Sequence, residues 1–235
     1  MHHRIKLAKT AGLLYLLIII FGLIAQIFVR DSLVDYNNAS ITAKNILSSE
    51  SWYRFGFVSE LLMLVCDVGV TTILFILLKD ASRDLSIAST LFRVCSIVIL
   101  AVTALTHYAA LFFLERPEFL KVFTTEQLNA FALLTIKTHG TGYNVSLLFF
   151  GFHLVILGWL MVKSGVFPKF LGSLLLIGGV CYMINSFTWF LFPDFVSMIY
   201  PAILIPCALG EWIFCFWLLF KGMNKIQVQP KAVKA

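Results

Sequence analysis

The sequence predicts an all-α fold: a polytopic integral membrane bundle of six transmembrane helices, with short amphipathic helices in the first and third connecting loops. Three observations support this fold class. Hydrophobic residues make up 60% of the 235 residues and charged residues only 13%, whereas soluble globular chains carry about 25% charged residues. The mean hydropathy is +0.93. Six apolar runs reach the roughly 20 residues that a spanning helix needs.

This composition excludes several protein classes. A chain so poor in charge cannot cover its own surface with polar groups in water, so it is not a soluble enzyme, a disordered chain or a coiled coil. Its five cysteines all lie inside apolar runs and form no C-x-x-C pair. We therefore interpret them as small buried apolar residues, not as a disulfide framework or a zinc site.

The six predicted spans are long and show no alternation of polar and apolar residues, which excludes transmembrane β-strands. They are Ala11–Val29, Tyr53–Leu78, Leu85–Leu114, Thr141–Val162, Phe170–Phe192 and Ser197–Phe220. The first run follows a basic start, but it exceeds the roughly 7–15 apolar residues of a signal peptide and has no A-x-A-like site behind it. We therefore predict one transmembrane domain, residues 1–222, followed by a flexible basic cytoplasmic tail, residues 223–235.

Two of the connecting loops carry helical patterns. Val34–Ser51 combines polar helix starts with scattered apolar residues and predicts a short helix on the membrane surface. Thr124–Lys137 begins with a helix-start pattern and continues with apolar residues at helical spacing. We expect this second helix to dip into the outer face, break at Gly140 and Gly142, and continue as the fourth span.

The distribution of lysine and arginine predicts the orientation. Eleven of these residues fall on one side of the membrane: Arg4, Lys6, Lys9, Lys79, Arg83, Lys163, Lys169, Lys221, Lys225, Lys231 and Lys234. Six fall on the other side: Arg30, Lys44, Arg54, Arg116, Lys121 and Lys137. The richer side predicts a multi-pass protein of the cytoplasmic (inner) membrane with both termini cytoplasmic. The net charge of +6 is then explained by loops, so the lipid bilayer and not nucleic acid is the expected partner, and the oligomeric state stays open.

Ionisable residues inside the spans are the candidates for function, because each costs roughly 2.5–3.5 kcal/mol to insert. Depth at a rise of about 1.5 Å per residue divides them into two sets. An inner set lies at one level: Asp67, Arg93, His153 and Glu211. An outer set lies nearer the other side: Glu60, His107, His139, Asn144 and Asn185. We interpret the inner set, together with Glu60, Asn144 and Asn185 of the outer set, as candidates for binding a small ligand or a proton. No metal site is assigned, and His107 and His139 are only weak candidates for metal ligands.

The charges in these spans do not balance. Glu60, Asp67 and Glu211 offer three negative charges within the predicted spans, and Arg93 offers one positive charge against them. One carboxylate, Asp67 or Glu211, can pair with Arg93, and an unpaired one is a candidate for proton uptake near neutral pH.

Structural interpretations remain open beside these functional ones. The Arg93 pair can be a purely structural contact between helices. Glu60 can lie at the wet outer edge of its span. His153 can be a hydrogen-bonded core histidine.

The fourth predicted span has two distinct faces. Asn144, Gly151, Gly158 and Gly165 recur every seven residues on one face, which predicts close approach of another helix. His139, Ser146 and His153 line nearly the opposite face.

Four segments carry a resemblance to a known family: AGLLYLLIIIFGLIAQIFVR, NILSSESWYRFGFVSELLMLVCDVGV, FFGFHLVILGWLMVKSGVFPKFLGSLLLIGG and ILIPCALGEWIFCFWLLFKG. Within them the most specific features are Glu60, Cys66-Asp67, Gly151 with His153, Ser164-Gly165 with Pro168, and Gly210-Glu211. The chain resembles the prokaryotic membrane proteins grouped as the domain of unknown function 4386 family. The resemblance implies six helices and a membrane location but no activity. It also implies an acidic residue where this chain has Gly142-Tyr143-Asn144, so no carboxylate role is assigned there.

Three functions are compatible with the sequence. The leading hypothesis is small-molecule or proton-coupled transport or permeation through the polar intramembrane site. The second is a non-catalytic structural or partner-binding membrane module. The third is a membrane-embedded enzyme or a haem or metal carrier, for which His107 and His139 are the candidate ligands if their depths match. No catalytic residue and no cofactor is identified from the sequence.

Overall fold

The computed structural model describes residues 2–223, and these residues form helices and turns without any β-strand. Of the predicted tail, residues 223–235, only Met223 is described, and residues 224–235 lie outside the described part of the chain. The helices are α1 (His2–Leu23), α2 (Asp31–Leu33), α3 (Ala39–Ser48), α4 (Glu50–Leu78), α5 (Arg83–Leu114), α6 (Thr125–Ser164), α7 (Lys169–Leu191), α8 (Pro193–Ile199) and α9 (Ile205–Phe220). A π-helical stretch, Ile24–Arg30, joins α1 to α2, and short 3-10 turns occupy Glu118–Leu120 and Ala202–Leu204.

Six helical segments of the described chain are long and apolar enough to cross a membrane, which confirms the predicted fold class. They are His2–Leu33, α4, α5, α6, α7 and Ala202–Phe220. The two ends of the described chain lie at the same end of the bundle, where Arg4 also forms a 2.9 Å ion pair with Asp80 in the α4–α5 turn. We call this end the termini face, and we call the opposite end, which carries α3 and α8, the loop face.

The six spans pack as a ring. α6 packs along both α5 and α7, α1 packs along α4 and α9, and the ring is completed by contacts of α4 with α5 and of α7 with α9. Apolar side chains fill the interior at both ends of the ring. One buried cluster near the termini face includes Leu77, Met161 and Phe214, and another near the loop face includes Val29 and Ile136. Buried polar groups lie between them, so each end of the bundle is closed by packed apolar residues.

Both predicted loop helices are present, but the second forms the first turns of α6 and is not a separate helix. In the first loop, Asn38 caps the start of α3, because its side-chain oxygen accepts a 3.0 Å hydrogen bond from the backbone N–H of Ile41. In the third loop, Thr124 and Gln127 form a reciprocal capping box that starts α6 at the predicted position.

The predicted break at Gly140 and Gly142 is wrong, because α6 runs unbroken from Thr125 to Ser164. A helical glycine costs only about 1 kcal/mol relative to alanine. Unpaired backbone groups inside a membrane cost several kcal/mol each, so the helix continues through both glycines. Gly142 instead makes room for Thr103 of α5, which lies where a side chain would stand.

The predicted glycine ridge on α6 is confirmed as the contact with α7. A Cβ atom on Gly151 would lie 2.8 Å from the carbonyl oxygen of Gly179, and one on Gly158 would lie 2.8 Å from the backbone nitrogen of Leu176. The two helix backbones therefore touch directly. Gly165 has another task, because it ends α6 in the left-handed conformation at φ 66°.

Candidate ligand and proton site

The inner predicted set is assembled around Arg93, which is almost completely buried on α5. Its Nε lies 2.5 Å from Oδ1 of Asp67 on α4, and its Nη1 lies 3.0 Å from Nε2 of His153 on α6. His153 Nδ1 lies 2.9 Å from the backbone oxygen of Ser89, so that nitrogen carries the proton and Nε2 accepts from Arg93. Three of the four predicted inner residues thus meet as a closed, overall neutral cluster.

Glu211 on α9 belongs to the same level but does not pair with Arg93. Its Oε2 accepts a 2.8 Å hydrogen bond from the Tyr15 hydroxyl, and its Oε1 accepts a 2.7 Å bond from the Tyr182 hydroxyl. Among residues 2–223, no arginine, lysine or histidine nitrogen lies within 4.0 Å of this carboxylate. Two neutral hydroxyls therefore hold Glu211 where a cation would be expected.

Tyr15 connects Glu211 to the inner cluster. The Arg93 guanidinium lies 5.5 Å from the centre of the Tyr15 ring and 5.2 Å from that of Phe150, within the range of cation–π contacts. The positive charge of Arg93 is thus enclosed by Asp67 and two aromatic rings. Sequence reasoning missed Tyr15 and Tyr182, although a tyrosine deep in an apolar span usually needs a hydrogen-bond partner for its hydroxyl.

Three predicted residues of the outer set, Glu60, His107 and His139, also meet, and they surround Arg30. The sequence predicts that Arg30 lies on the outer side of the membrane, beyond the first span, and this prediction is wrong, because only 4% of the residue is exposed. Its Nη1 lies 2.8 Å from Glu60 Oε2, 3.1 Å from His107 Nδ1 and 3.5 Å from His139 Nε2. His139 Nε2 also lies 2.8 Å from the second Glu60 oxygen. Glu60 is 1% exposed, so it does not lie at a wet edge.

The local backbone explains the difference between the predicted and the observed position of Arg30. The apolar run ends at Val29, so the sequence predicts that the arginine lies just outside the membrane. The helical chain instead continues to Leu33, and a π-helical turn turns Arg30 toward the bundle interior. Gln26 in the same turn accepts a 3.0 Å hydrogen bond from the Arg30 Nε. In the sequence, the acidic residue Glu60 within an apolar span is the feature that indicates a buried arginine, because a buried carboxylate needs a positively charged partner.

Asn144 and Asn185 form a third, separate polar contact. The Asn185 amide on α7 donates a 3.0 Å hydrogen bond to Asn144 Oδ1 on α6, and the Asn144 amide donates to the Gly140 carbonyl. Both side chains are buried. They join the two helices and do not touch the charged clusters that were predicted to share their depth.

A cavity of about 380 Å³ lies between the outer cluster and Glu211. Its polar wall is formed by Arg30, Glu60, Tyr143, Tyr182 and Glu211. Ile27 and Trp212 also line it and are 51% and 43% exposed, so the cavity opens sideways toward the lipid. Its volume falls in the range of about 300–1,000 Å³ that is usual for small-molecule sites.

The tilt of α9 produces this cavity. Near the termini face, Gly12 of α1 contacts the α9 backbone at Leu218 and Leu219, so the two helices touch there. Near the loop face, Cys207 at the start of α9 lies instead against Gly178 of α7 and donates to its carbonyl oxygen. The helix α9 therefore leans away from α1 toward the loop face and leaves a wedge between them.

The sequence model of the domain of unknown function DUF4386 matches residues 10–222. An uncharacterized protein of Archaeoglobus fulgidus is 31% identical over 175 residues, which cover 74% of this chain and 88% of that protein. No solved structure matches the chain.

Proposed function

The chain belongs to the domain of unknown function 4386 family, and from the geometry of its own site we propose that it is a proton-coupled transporter of small cationic amphiphiles. In this proposal Glu211 binds either a proton or the positive group of the substrate. The observation that carries the proposal is that Glu211 has no cationic partner among the described residues and lines the lateral cavity.

The cost of burying the charge of Glu211 couples the binding of a proton to the binding of the substrate. An ionised carboxylate in a membrane interior is costly unless a positive charge compensates it. The two tyrosine hydroxyls supply hydrogen bonds but no charge. A proton or a cationic ligand would neutralise Glu211, and the two would exclude each other at the same oxygens. Such exclusive binding is what proton–substrate exchange requires.

The other cavity walls favour an amphiphile. The opening beside Ile27 faces the acyl chains, so a ligand that partitions into the bilayer reaches the cavity without crossing the polar loops. Tyr143, Tyr182 and Trp212 offer aromatic surfaces, which attract organic cations at roughly 0.5–2 kcal/mol per contact. An anionic ligand would meet the uncompensated charge of Glu211.

The charge distribution supports an orientation for this pathway. With Arg30 inside the bundle, five lysines and arginines remain on the loop face, against eight at the termini face among residues 2–223. We infer that the termini face is cytoplasmic in the inner membrane. The cavity then opens into the outer half of the bilayer, and Glu211 lies near its inner end.

The test uses tetraphenylphosphonium, a permanently charged cation that carries no titratable proton. Added to the detergent-purified protein in weak buffer, it should displace about one proton per cation bound if the two compete for one carboxyl. Glu211→Gln should bind it more weakly and release none. Glu118→Gln, which alters an exposed ion pair with Lys121, is the matched control and should behave like the wild type.

Transport is tested in proteoliposomes with the same variants. A pH gradient should drive tetraphenylphosphonium flux above that of protein-free vesicles in the wild type and in Glu118→Gln, but not in Glu211→Gln. Equal flux in all three proteins, with each one folded, would contradict the proposal and favour the structural-module alternative.

A further inference from the structure

The outer cluster has a second capacity that the cavity-based function does not use. We propose that Glu60, His107 and His139 form a binding site for a divalent transition metal, and that the Arg30 guanidinium occupies its centre when no metal is bound. The Glu60 carboxylate and the two imidazoles each offer one ligand atom, and the three atoms lie within 4.8 Å of one another. This inference is independent of the proposed transport function.

The donor set matches known metal chemistry. Two histidines and one glutamate, with a further position open, form a common site for Zn²⁺ and similar ions. The residues come from α4, α5 and α6, and each is no more than 2% exposed, so three rigid helices hold the donors. Such support is what keeps metal ligands in position.

The protein already places a positive group among these atoms. Arg30 Nη1 is within 3.5 Å of the ligand atom of each of the three residues, so a single nitrogen touches the entire donor set. A buried cation and a metal ion satisfy the same lone pairs on Glu60 and on His107 Nδ1, whereas His139 Nε2 carries a proton that it donates to the second Glu60 oxygen. The two must compete, because both need the Glu60 carboxylate and the His107 Nδ1.

The ring of His107 is oriented as a metal ligand. Its Nε2 lies 3.4 Å from the backbone oxygen of Tyr53, and the Tyr53 ring packs against it at a tilt of 30°, with centroids 4.2 Å apart. A proton on Nε2 leaves the Nδ1 lone pair directed at the centre of the cluster. Metal-binding histidines commonly donate their other nitrogen to a backbone carbonyl in this way. For His139, metal at Nε2 requires its proton to lie on Nδ1.

Arg30 has a place to move when a metal enters. It lines the lateral cavity, and its Nε stays within reach of Gln26 in the same π-helical turn. The guanidinium can therefore move into the cavity without entering the lipid.

The experiment is a titration with Co²⁺, whose visible absorption reports its ligands and coordination geometry. The protein is purified through a tag without histidine and carries His2→Ala and His3→Ala, so that no terminal histidine binds the ion. We expect about one Co²⁺ per chain, bound by nitrogen and oxygen donors and displaced by Zn²⁺. Removal of the competing cation in Arg30→Gln should tighten binding by about tenfold or more.

The matched comparison is Arg30→Gln against Arg30→Gln/Glu60→Gln. These variants differ by one carboxylate, and the second replaces the buried ion pair with two neutral amides, which buried sites often tolerate. Loss of Co²⁺ binding in the second variant supports the site. His107→Gln in the wild-type background gives the same test if Arg30→Gln does not fold. Absence of Co²⁺ binding by the folded wild-type protein at millimolar metal, or unchanged binding in His107→Gln, would overturn the proposal.

Discussion

The hydroxyl of Tyr15 donates a 2.8 Å hydrogen bond to Glu211, which joins the first and last spanning helices of the bundle. The ring of the same tyrosine packs against the Arg93 guanidinium. One side chain therefore stands between a positive group that is already neutralised by Asp67 and a negative group that is not. This arrangement separates the Asp67–Arg93 ion pair from a carboxylate that is held by two tyrosine hydroxyls.

The protonation of Glu211 can be observed directly. If no cation compensates the buried carboxylate, it should show the C=O band of a protonated carboxyl in infrared difference spectra recorded between acidic and alkaline pH. The band should disappear in Glu211→Gln and persist in Asp67→Asn. Spectra of wild type and Glu211→Gln that match over this range would contradict the assignment.

The two tyrosine hydroxyls should contribute to stability through Glu211. Tyr15→Phe and Tyr182→Phe each remove one hydrogen bond to a carboxyl oxygen and should cost about 1–3 kcal/mol of unfolding free energy. Reversible unfolding in detergent micelles measures the difference. Tyr200→Phe, at a residue that is 55% exposed, is the control and should change little. Equal stabilities for all three variants would mean that these bonds carry no net energy.

The Asp67–Arg93 pair should behave as a structural contact. Asp67→Asn leaves the buried guanidinium without its counterion and should destabilise the protein by about 3–5 kcal/mol. Replacing both partners, with Asp67→Leu and Arg93→Met, should recover much of this loss, because no charge then remains buried. The measurement is a comparison of unfolding curves in one detergent. A double variant as unstable as Asp67→Asn would show that the cluster contributes more than its charge balance.

The direct backbone contact between α6 and α7 yields a matched pair of glycine substitutions. Gly158→Ala places a methyl group against the Leu176 backbone and should destabilise the bundle by about 1–3 kcal/mol. Gly140→Ala lies on the same helix, but no atom would lie within 4 Å of its new Cβ. It should stabilise the protein by about 0.4–1 kcal/mol, because alanine restricts the unfolded chain. Thermal unfolding of the two variants should therefore shift in opposite directions.

Much of the charged site could be predicted because the bilayer penalises polar residues so strongly. Depth along each span brought Asp67, Arg93 and His153 to one level, and the structure joins them. The same reasoning grouped Glu60 with His107 and His139. It also placed Asn144 and Asn185 at that depth, but these two side chains bond to each other and not to the cluster, because depth alone does not specify the direction of a side chain around the bundle axis.

The sequence by itself determined the six spans and the residues that needed partners, because segment length and the cost of buried charge are local properties. Only the tertiary structure decided which partners meet. The π-helical turn places Arg30 in the outer cluster. Arg93 pairs with Asp67, so Glu211 is hydrogen-bonded by two tyrosines and not paired with the arginine. The lateral cavity likewise exists only because α9 contacts Gly12 at one end and Gly178 at the other. These outcomes depend on how helices distant in sequence rotate and tilt against one another, and that is settled by packing.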